Sequence, residues 1–158
     1  MKKVKLPRSY FSWNSYNLFG QSPAKWKAYY LDGGDKEKLD TIYTRFGKEV
    51  ARMRETGVID AGFEDVFMFL PTYPRREYEM RAPVDIDGKK VVLLGICDGV
   101  DFKRHIIGDD KTSKNEWTQR EVDKWEQLTF YAFIYWKKKG VIPKLQINWI
   151  ETHLVNGE

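Results

Sequence analysis

Two aspartates and a lysine interrupt strand-like apolar runs in the middle of the sequence. Asp98 follows "VVLLGIC", and Asp109 follows "HIIG", with Lys111 two positions later. Side chains two positions apart on a strand share a face, so Asp109 and Lys111 are expected on one side of a sheet. Carboxylates that converge need a cation between them, and oxygen ligands suit Mg²⁺ or Mn²⁺. The spacing therefore predicts a metal site, beside which an ammonium group orients a water or stabilises charge on a phosphate.

The elements that must position these residues follow from the hydrophobic periodicity. Up to about Pro71 the pattern predicts helices. "SPAKWKAYYL" offers a serine cap followed by proline, and "KEKLDTIYTRFGKEVARMRETG" carries one apolar stripe and ends at Gly57. A shorter helix is predicted in "FEDVFMFL". The stripe of the longer helix consists of Leu39, Ile42, Phe46, Val50 and Met53.

From about Glu77 to Lys111 the period becomes that of β-strands. "EYEMRAPVDI", the turn "DGKK" and "VVLLGICDGV" predict a hairpin, and "HIIGDDK" predicts a third strand. Asp98 and Asp109 are then expected at the ends of adjacent strands, where their carboxylates converge.

The last part of the chain predicts a long helix and a final strand. The helix begins near Thr118 and ends at Gly140, and "KLQINWIETHL" forms a strand after Pro143. A helix that joins two strands favours an α/β fold with a central mixed sheet of about four strands and helices packed on it. The length of 158 residues predicts a single domain over residues 1–158. The apolar positions of the long helix are Val122, Trp125, Leu128, Ala132 and Tyr135.

Composition and charge limit the class of protein. No apolar run approaches the ~20 residues that span a bilayer, and no apolar signal core follows the basic N-terminus, so we expect a cytoplasmic protein without membrane contact. A single cysteine, Cys97, excludes an internal disulfide and a four-cysteine zinc or iron–sulfur site. Six basic and eight aromatic residues, but no acid, precede Leu31. This mixture suits binding of a polyanion with stacking bases, or equally an aromatic core with a solvated basic rim.

Several segments carry a family resemblance. "GICDGVD" places a glycine three residues before Asp98, "IIGDDKTSK" contains D-x-K, and "QLTFYA" contains Q-x-x-x-Y, all downstream of the helical segment "YFSWNSYNLFGQSPAKWKAYYL". In this order they resemble the motifs of the RecB-like exonuclease family in the PD-(D/E)XK nuclease superfamily. The resemblance extends from about Tyr10 to about Tyr135. It implies a restriction-endonuclease-like core and a Mg²⁺- or Mn²⁺-dependent deoxyribonuclease without an iron–sulfur cluster.

The resemblance also implies roles for particular residues. Asp98, Asp109 and the backbone carbonyl of Asp110 would be metal ligands, and Lys111 the catalytic lysine. Glu79 on the first predicted strand is the expected further metal ligand, with Glu49 as the alternative. Asp101 has the same turn context as Asp98 and remains the alternative to it. The side chain of Asp110, which alternates to the face opposite Asp109, is expected to be solvated or to cap a turn.

Nucleic-acid contacts are expected further along the chain. By resemblance, Gln127 and Tyr131 would bind or position DNA near the site, although both also fit the polar edge of an amphipathic helix. Lys114, Trp117 and Arg120 lie in and after the polar segment that follows the third strand. We expect them to contact phosphates or to stack on bases.

One departure from the family pattern concerns an early helix. RecB-like nucleases often carry G-x-x-x-H there, with the histidine as an extra metal ligand, whereas Gly47 is followed by Ala51 in this sequence. The second metal site, or activity itself, is therefore in question.

Three functions follow as hypotheses. The first is a metal-dependent DNA nuclease, an exonuclease by resemblance, in recombination, repair or phage DNA processing, with a recombination or single-strand-annealing protein as partner. The second is a catalytically inactive nucleic-acid-binding module with the nuclease fold. The third is a protein-interaction domain in which Asp109 and Lys111 are structural. The sequence leaves the oligomeric state open.

Overall fold

The structure, a computed structural model, describes residues 9–34 and 41–152. In these ranges the chain forms an open mixed sheet of five strands flanked by helices, which confirms the α/β prediction and adds one strand to it. No helix in this part of the chain is long and apolar enough to cross a bilayer. In chain order the elements are β1 (Phe11–Ser12), α1 (Trp13–Gln21), α2 (Pro23–Tyr30), α3 (Ile42–Thr56), α4 (Glu64–Met68), β2 (Arg75–Ile86), β3 (Lys89–Asp101), β4 (Ile106–Ser113), α5 (Gln119–Asp123), α6 (Glu126–Lys139) and β5 (Lys144–Glu151).

The β2–β3 hairpin is the framework of the sheet. Its strands pair antiparallel over nearly their full lengths and are joined by Asp87 and Gly88, which have φ values of 51° and 74°. Two positive φ values are what a type I′ turn requires, and Asp-Gly is a favoured sequence for it. The hairpin predicted from the sequence is confirmed.

The other strands extend the sheet beside β3. β4 pairs antiparallel with only the last three residues of β3, and β5 runs parallel to β4 over its whole length. The two-residue β1 pairs with β3 at Leu93 and Leu94, next to the stretch that β4 leaves free. The helical connection from β4 to β5 confirms the predicted crossover.

The two faces of the sheet bury separate apolar clusters. Leu128, Tyr131 and Ile134 of α6 pack on one face, and Val50 and Met53 of α3 pack on the other. Strand β5 shows this division, because Ile147 contacts the first cluster and Ile150, three residues on, belongs to the second. Odd-numbered residues of β4 therefore face α6, and even-numbered residues face α3.

The predicted helices of the first part are confirmed where the structure describes them. Ser22 caps α2 by accepting a hydrogen bond from the amide of Lys25, and α3 ends at Gly57, whose φ is 72°. Helix α3 begins after Thr41, so Leu39 of the predicted stripe lies outside the described residues. The short helix predicted in "FEDVFMFL" is α4.

The prediction of one long helix from Thr118 is wrong in one respect, because this segment forms two helices, α5 and α6. Thr118 and Glu121 form a reciprocal capping box at the N-terminus of the five-residue α5. Trp125 then adopts extended backbone angles at the start of α6, and its ring meets Trp117 at 4.9 Å, edge to face. The apolar spacing runs on across this break, which is why periodicity alone predicts one helix. Gly140 ends α6 as predicted, with φ 72°.

Candidate functional site

Three acidic residues lie in one row across three neighbouring strands. Glu77 of β2 stands opposite Asp98 of β3, and Asp98 stands opposite Asp109 of β4. The pairing of β2 with β3 skips Glu77 and Asp98 although the residues on either side are paired, and the pairing of β3 with β4 ends at Gly99. At the interruption Glu77 has a φ of 42°, in the left-handed region that non-glycine residues seldom adopt. Strained backbone of this kind often accompanies functional sites.

The interruption changes which face the side chains of β2 point to. Tyr78 and Met80 pack in the cluster of α6, whereas Arg76 reaches the α3 side and pairs with Asp110. In an unbroken strand Arg76 and Tyr78 would share a face. The irregularity at Glu77 therefore places a basic side chain on the face that carries Asp110.

Asp98 lies where β3 and β4 separate. Its Oδ2 accepts a hydrogen bond of 2.6 Å from the backbone amide of Asp110, so a side chain takes the place of a main-chain acceptor. Both acids lie within their strands and not at the strand ends as predicted, because β3 continues to Asp101 and β4 continues to Ser113. They meet at the point where the ladder opens.

Asp109 and Lys111 form an ion pair on the face of α6. The Nζ of Lys111 lies 2.7 Å from Oδ2 of Asp109, and the Asp109 side chain is only 3% exposed. That oxygen accepts no hydrogen bond of ordinary geometry. Burial raises the pKa of Asp109, and the neighbouring ammonium group opposes the shift. The Nζ of Lys111 also lies 5.6 Å from the ring centre of Trp125, within the range of a cation–π contact.

The carboxyl of Asp98 is the most strongly perturbed acid of the site. Burial, and then the negative charge of Asp109, raise its pKa from 3.8 to about 7. The amide of Asp110 and the charge of Lys111 act in the opposite direction but do not prevail. Two converging carboxylates with one lysine thus leave negative charge that is only partly compensated.

The oxygen atoms of this site fit a Mg²⁺ or Mn²⁺ ion. Asp98 and Asp109 offer carboxylates, and the carbonyl of Asp110 lies on the same strand edge as its amide, toward Asp98. The described residues contain no cluster of three or more His, Cys, Asp or Glu side chains arranged around one cation. Mg²⁺ does not require one, since it keeps several waters and binds through one or two carboxylates plus substrate phosphate.

The side chain of Asp110 contradicts the prediction that it is solvated or caps a turn. It is 10% exposed and accepts hydrogen bonds from Arg54, Arg76 and Asn148, the last at 2.6 Å. Burial alone would raise its pKa, but these three donors outweigh burial and hold the pKa below its ordinary value. Asp110 therefore stays ionised as the counter-ion of two guanidinium groups.

Tyr73 is connected to this hydrogen-bond network through Asn148. Its ring lies flat on Gly99 and Gly108, which are paired across β3 and β4, so close that a Cβ on either glycine would overlap the ring. The Tyr73 hydroxyl is hydrogen-bonded to Asn148, which in turn donates to Asp110. The two glycines allow the tyrosine to pack beside the acid row.

A cavity of about 180 Å³ adjoins the site on the side of α3. Glycine and alanine of the early helix form one wall, and the strands supply charged groups. Its lining residues are Gly47, Val50, Ala51, Arg76, Glu77, Asp98, Asp110, Lys111 and Thr112. The position at which the resemblance would place a histidine is thus beside the candidate metal ligands, and Ala51 leaves it open.

The structure does not bring Glu79, Glu49 or Asp101 to this cavity. Glu79 pairs with Arg81 at 2.6 Å, and both side chains are about half exposed. Glu49 pairs with Arg52 in the same way on the surface of α3. Asp101 accepts hydrogen bonds from two backbone amides of the turn between β3 and β4.

Glu77 is the acid that the sequence reasoning missed. It lines the cavity with Asp98, while Glu79 does not. Burial, and then repulsion from Glu55, raise its pKa. The only signal in the sequence is the pair of acids in "EYE", and alternation puts both on one face. The choice between them depends on the interrupted pairing, which periodicity does not reveal.

Gln127 and Tyr131 lie close to the site but inside the protein. Gln127 donates a hydrogen bond of 2.6 Å to the Tyr131 hydroxyl, and Tyr131 is 5% exposed. The Tyr131 ring packs on Gly95, where a Cβ would come within 2.8 Å of it. The glycine of "GICD" and the tyrosine of "QLTFY" thus meet, and Tyr131 positions β3 instead of offering a surface for a base.

The residues after β4 lie at the rim. Lys114 and Arg120 are exposed, and Trp117 packs against Trp125, the residue whose ring lies next to Lys111. Lys114 and Arg120 are placed to meet a polyanion, while the Trp117 ring is partly used in packing.

A second, larger cavity of about 410 Å³ lies beside Glu77 toward the N-terminal helices. It is rich in aromatic side chains and has a few polar groups. The residues around it are Tyr10, Ser12, Trp13, Asn14, Tyr30, Glu77, Leu94, Gly95, Ile96 and Tyr131. Of the six early basic residues, Lys25 and Lys27 lie on α2, and the others are outside the described residues.

Comparison of the sequence with protein-family models and with curated proteins finds no match in either case.

Proposed function

We propose that the protein is a Mg²⁺- or Mn²⁺-dependent nuclease that hydrolyses phosphodiester bonds of DNA. The observation that supports this most is the meeting of Asp98 and Asp109 beside Lys111 at the opening between β3 and β4. Burying two carboxylates next to each other is costly, and a divalent cation would remove most of that cost. A protein that used these residues only for packing would gain by replacing them with apolar ones.

Each group has a separate role in the proposed reaction. Asp98, Asp109 and the carbonyl of Asp110 would hold the cation, which when bound polarises the phosphate and lowers the pKa of a water. Asp109 holds the Lys111 ammonium at 2.7 Å, so this charge is fixed before substrate arrives. Lys111 then orients the attacking water and stabilises charge that develops on the phosphate. Glu77 is the third acid within reach and would bind a water of the cation.

DNA as the substrate is supported by the surroundings of the site. Arg76 supplies positive charge within the cavity, Lys111 supplies it beside Asp109, and Lys114 and Arg120 supply it at the rim. The neighbouring aromatic cavity offers Trp13 and Tyr10 to an unpaired base. By the family resemblance we propose exonuclease action in recombination, repair or phage DNA processing, in the cytoplasm, with an annealing or recombination protein as partner.

The experiment that tests this proposal is digestion of end-labelled single-stranded and duplex DNA with Mg²⁺ or Mn²⁺. We expect cleavage that stops with EDTA and falls at least about 100-fold in Lys111→Ala. Lys90→Ala, which removes an exposed lysine near the β2–β3 turn, is the matched control and should keep the activity. Intact DNA that shifts on a gel would overturn the nuclease and support the inactive binding module instead. The product lengths decide between exonuclease and endonuclease action.

A further inference from the structure

A guanidinium group with unpaired donors lies in the cavity beside Asp98. Arg76 donates from Nη2 to Oδ2 of Asp110 at 2.9 Å. Its Nε and Nη1 are buried and have no hydrogen-bond partner. A guanidinium has five N–H donors, and leaving a buried donor without an acceptor destabilises the fold. Such groups in native proteins usually have an acceptor such as water or a ligand.

Arg54 provides a comparison within the same network. Its Nε donates to Asp110, and its Nη2 donates to Asp110 and to the carbonyl of Pro71. Arg54 is therefore used in holding α3 to the sheet, with its side chain 7% exposed. Asp110 is the shared counter-ion of both guanidinium groups, and of the two it is Arg76 that keeps buried donors without a partner.

The cavity has the size and lining for an anion. Its volume of about 180 Å³ exceeds that of several waters, each of which takes about 30 Å³. Gly47 and Ala51 keep the wall of α3 short, and Arg76 is the lining residue of the sheet whose charged group lies on this face. Asp98 lines the same space, so an anion here would lie next to the candidate cation.

We propose that this cavity is a phosphate subsite, in which Arg76 donates from Nε to a non-bridging oxygen of a DNA phosphodiester. The inference rests on the proposed function, since Asp98 and Lys111 line the same cavity. Nη2 is bonded to Asp110, which holds the guanidinium in place, and the unpaired Nε–H is a charged donor of the kind that binds phosphate oxygens strongly. Arg76 thereby supplies a fixed positive charge in the cavity, where the small side chain of Ala51 leaves room for the phosphate.

The test is nitrogen-15 NMR of the arginine Nε–H groups in metal-free wild-type protein. The protein is titrated with inorganic phosphate in one series and with the thymidine dinucleotide TpT, a phosphodiester, in another, at ionic strength held constant with chloride. The Arg76 signal is assigned by its loss in Arg76→Lys. We expect a saturable shift of the Arg76 signal with TpT, and no shift of the Arg54 signal, whose donors are already bonded.

The outcomes separate this inference from the proposed nuclease activity. No response of Arg76 to either titrant overturns the subsite, even if the wild-type protein cleaves DNA. A response to inorganic phosphate alone overturns the phosphodiester assignment. A response to TpT in a protein that never cleaves DNA supports the subsite and overturns the nuclease. If both hold, Arg76→Gln should lower kcat/KM about 10²- to 10³-fold, with partial recovery in Arg76→Lys. The neighbouring Arg75→Lys, in an exposed position, should match the wild type.

Discussion

Replacing Asp98 by asparagine should make the metal-free protein more stable while it abolishes the proposed activity. The carboxyl of Asp98 titrates near 3.9 in the unfolded chain and near 7 in the folded one. Between these pH values the folded state holds a proton that the unfolded state has lost. The contribution of this carboxyl to stability therefore falls as the pH rises from about 4 to about 7. Well above pH 7 the carboxyl is ionised in both states, and its buried charge lowers the free energy of unfolding by the full amount.

The magnitude follows from the same shift. A rise in pKa from 3.8 to about 7 corresponds to roughly 4 kcal/mol against the ionised group. Asp98 keeps partial contact with solvent, so we expect a gain for Asp98→Asn of about 1–3 kcal/mol at pH 8, and almost none at pH 4. Asparagine still offers an oxygen to the amide of Asp110, so the opening between β3 and β4 is kept.

The assay is urea unfolding in EDTA at a series of pH values, with Asp98→Asn compared with the wild type. Asp65→Asn, at an exposed position of α4, is the control and should change stability by less than about 0.5 kcal/mol at any pH. A difference between Asp98→Asn and the wild type that is independent of pH would refute the burial of charge at Asp98. So would a loss of stability at pH 8.

Further predictions concern the surroundings of the site. Gly108→Ala places a Cβ within the Tyr73 ring, so it should lower the free energy of unfolding by about 1–3 kcal/mol, measured in urea; an unchanged midpoint would contradict the stacking. Asp110→Asn leaves Arg54 and Arg76 without their carboxylate and should cost about 3–5 kcal/mol, with the loss smaller at a pH low enough to protonate Asp110 in the wild type. An Asp110→Asn protein as stable as the wild type at neutral pH would contradict its role as an ionised counter-ion. Mg²⁺ should raise the thermal midpoint of the wild type at pH 8 but not that of Asp98→Asn, and equal shifts would place the ion elsewhere.

Most of the fold could be predicted from local signals in the sequence. The Asp87-Gly88 turn determines the β2–β3 register, because its positive φ values fit only a tight hairpin. Ser22 and Gly57 mark helix ends through hydrogen bonds to residues three or four positions away. The break between α5 and α6 was not predicted, since it depends on where the Trp125 ring packs and leaves the apolar spacing intact.

The site was predictable only in part, because its remaining features come from distant segments. Lys111 and Asp109 share a face as two positions on one strand must, and the structure pairs them. The burial of Asp110 depends on Arg54 and Asn148, which are 56 and 38 residues away in sequence. The approach of Glu77 instead of Glu79 depends on a pairing fault between two strands. Neither kind of contact can be read from the hydrophobic periodicity of the sequence.

The central claim is that Asp98 and Asp109 hold a divalent cation beside Lys111. The measurement that tests it most directly is calorimetric titration of the metal-free protein with Mn²⁺ at pH 8, where the carboxyl of Asp98 is mainly ionised. We predict saturable binding to the wild type that is lost in Asp109→Asn and kept in Glu79→Gln, whose partner is Arg81 on the surface. Absence of binding to the wild type, or binding that needs Glu79 and not Asp109, would contradict the account.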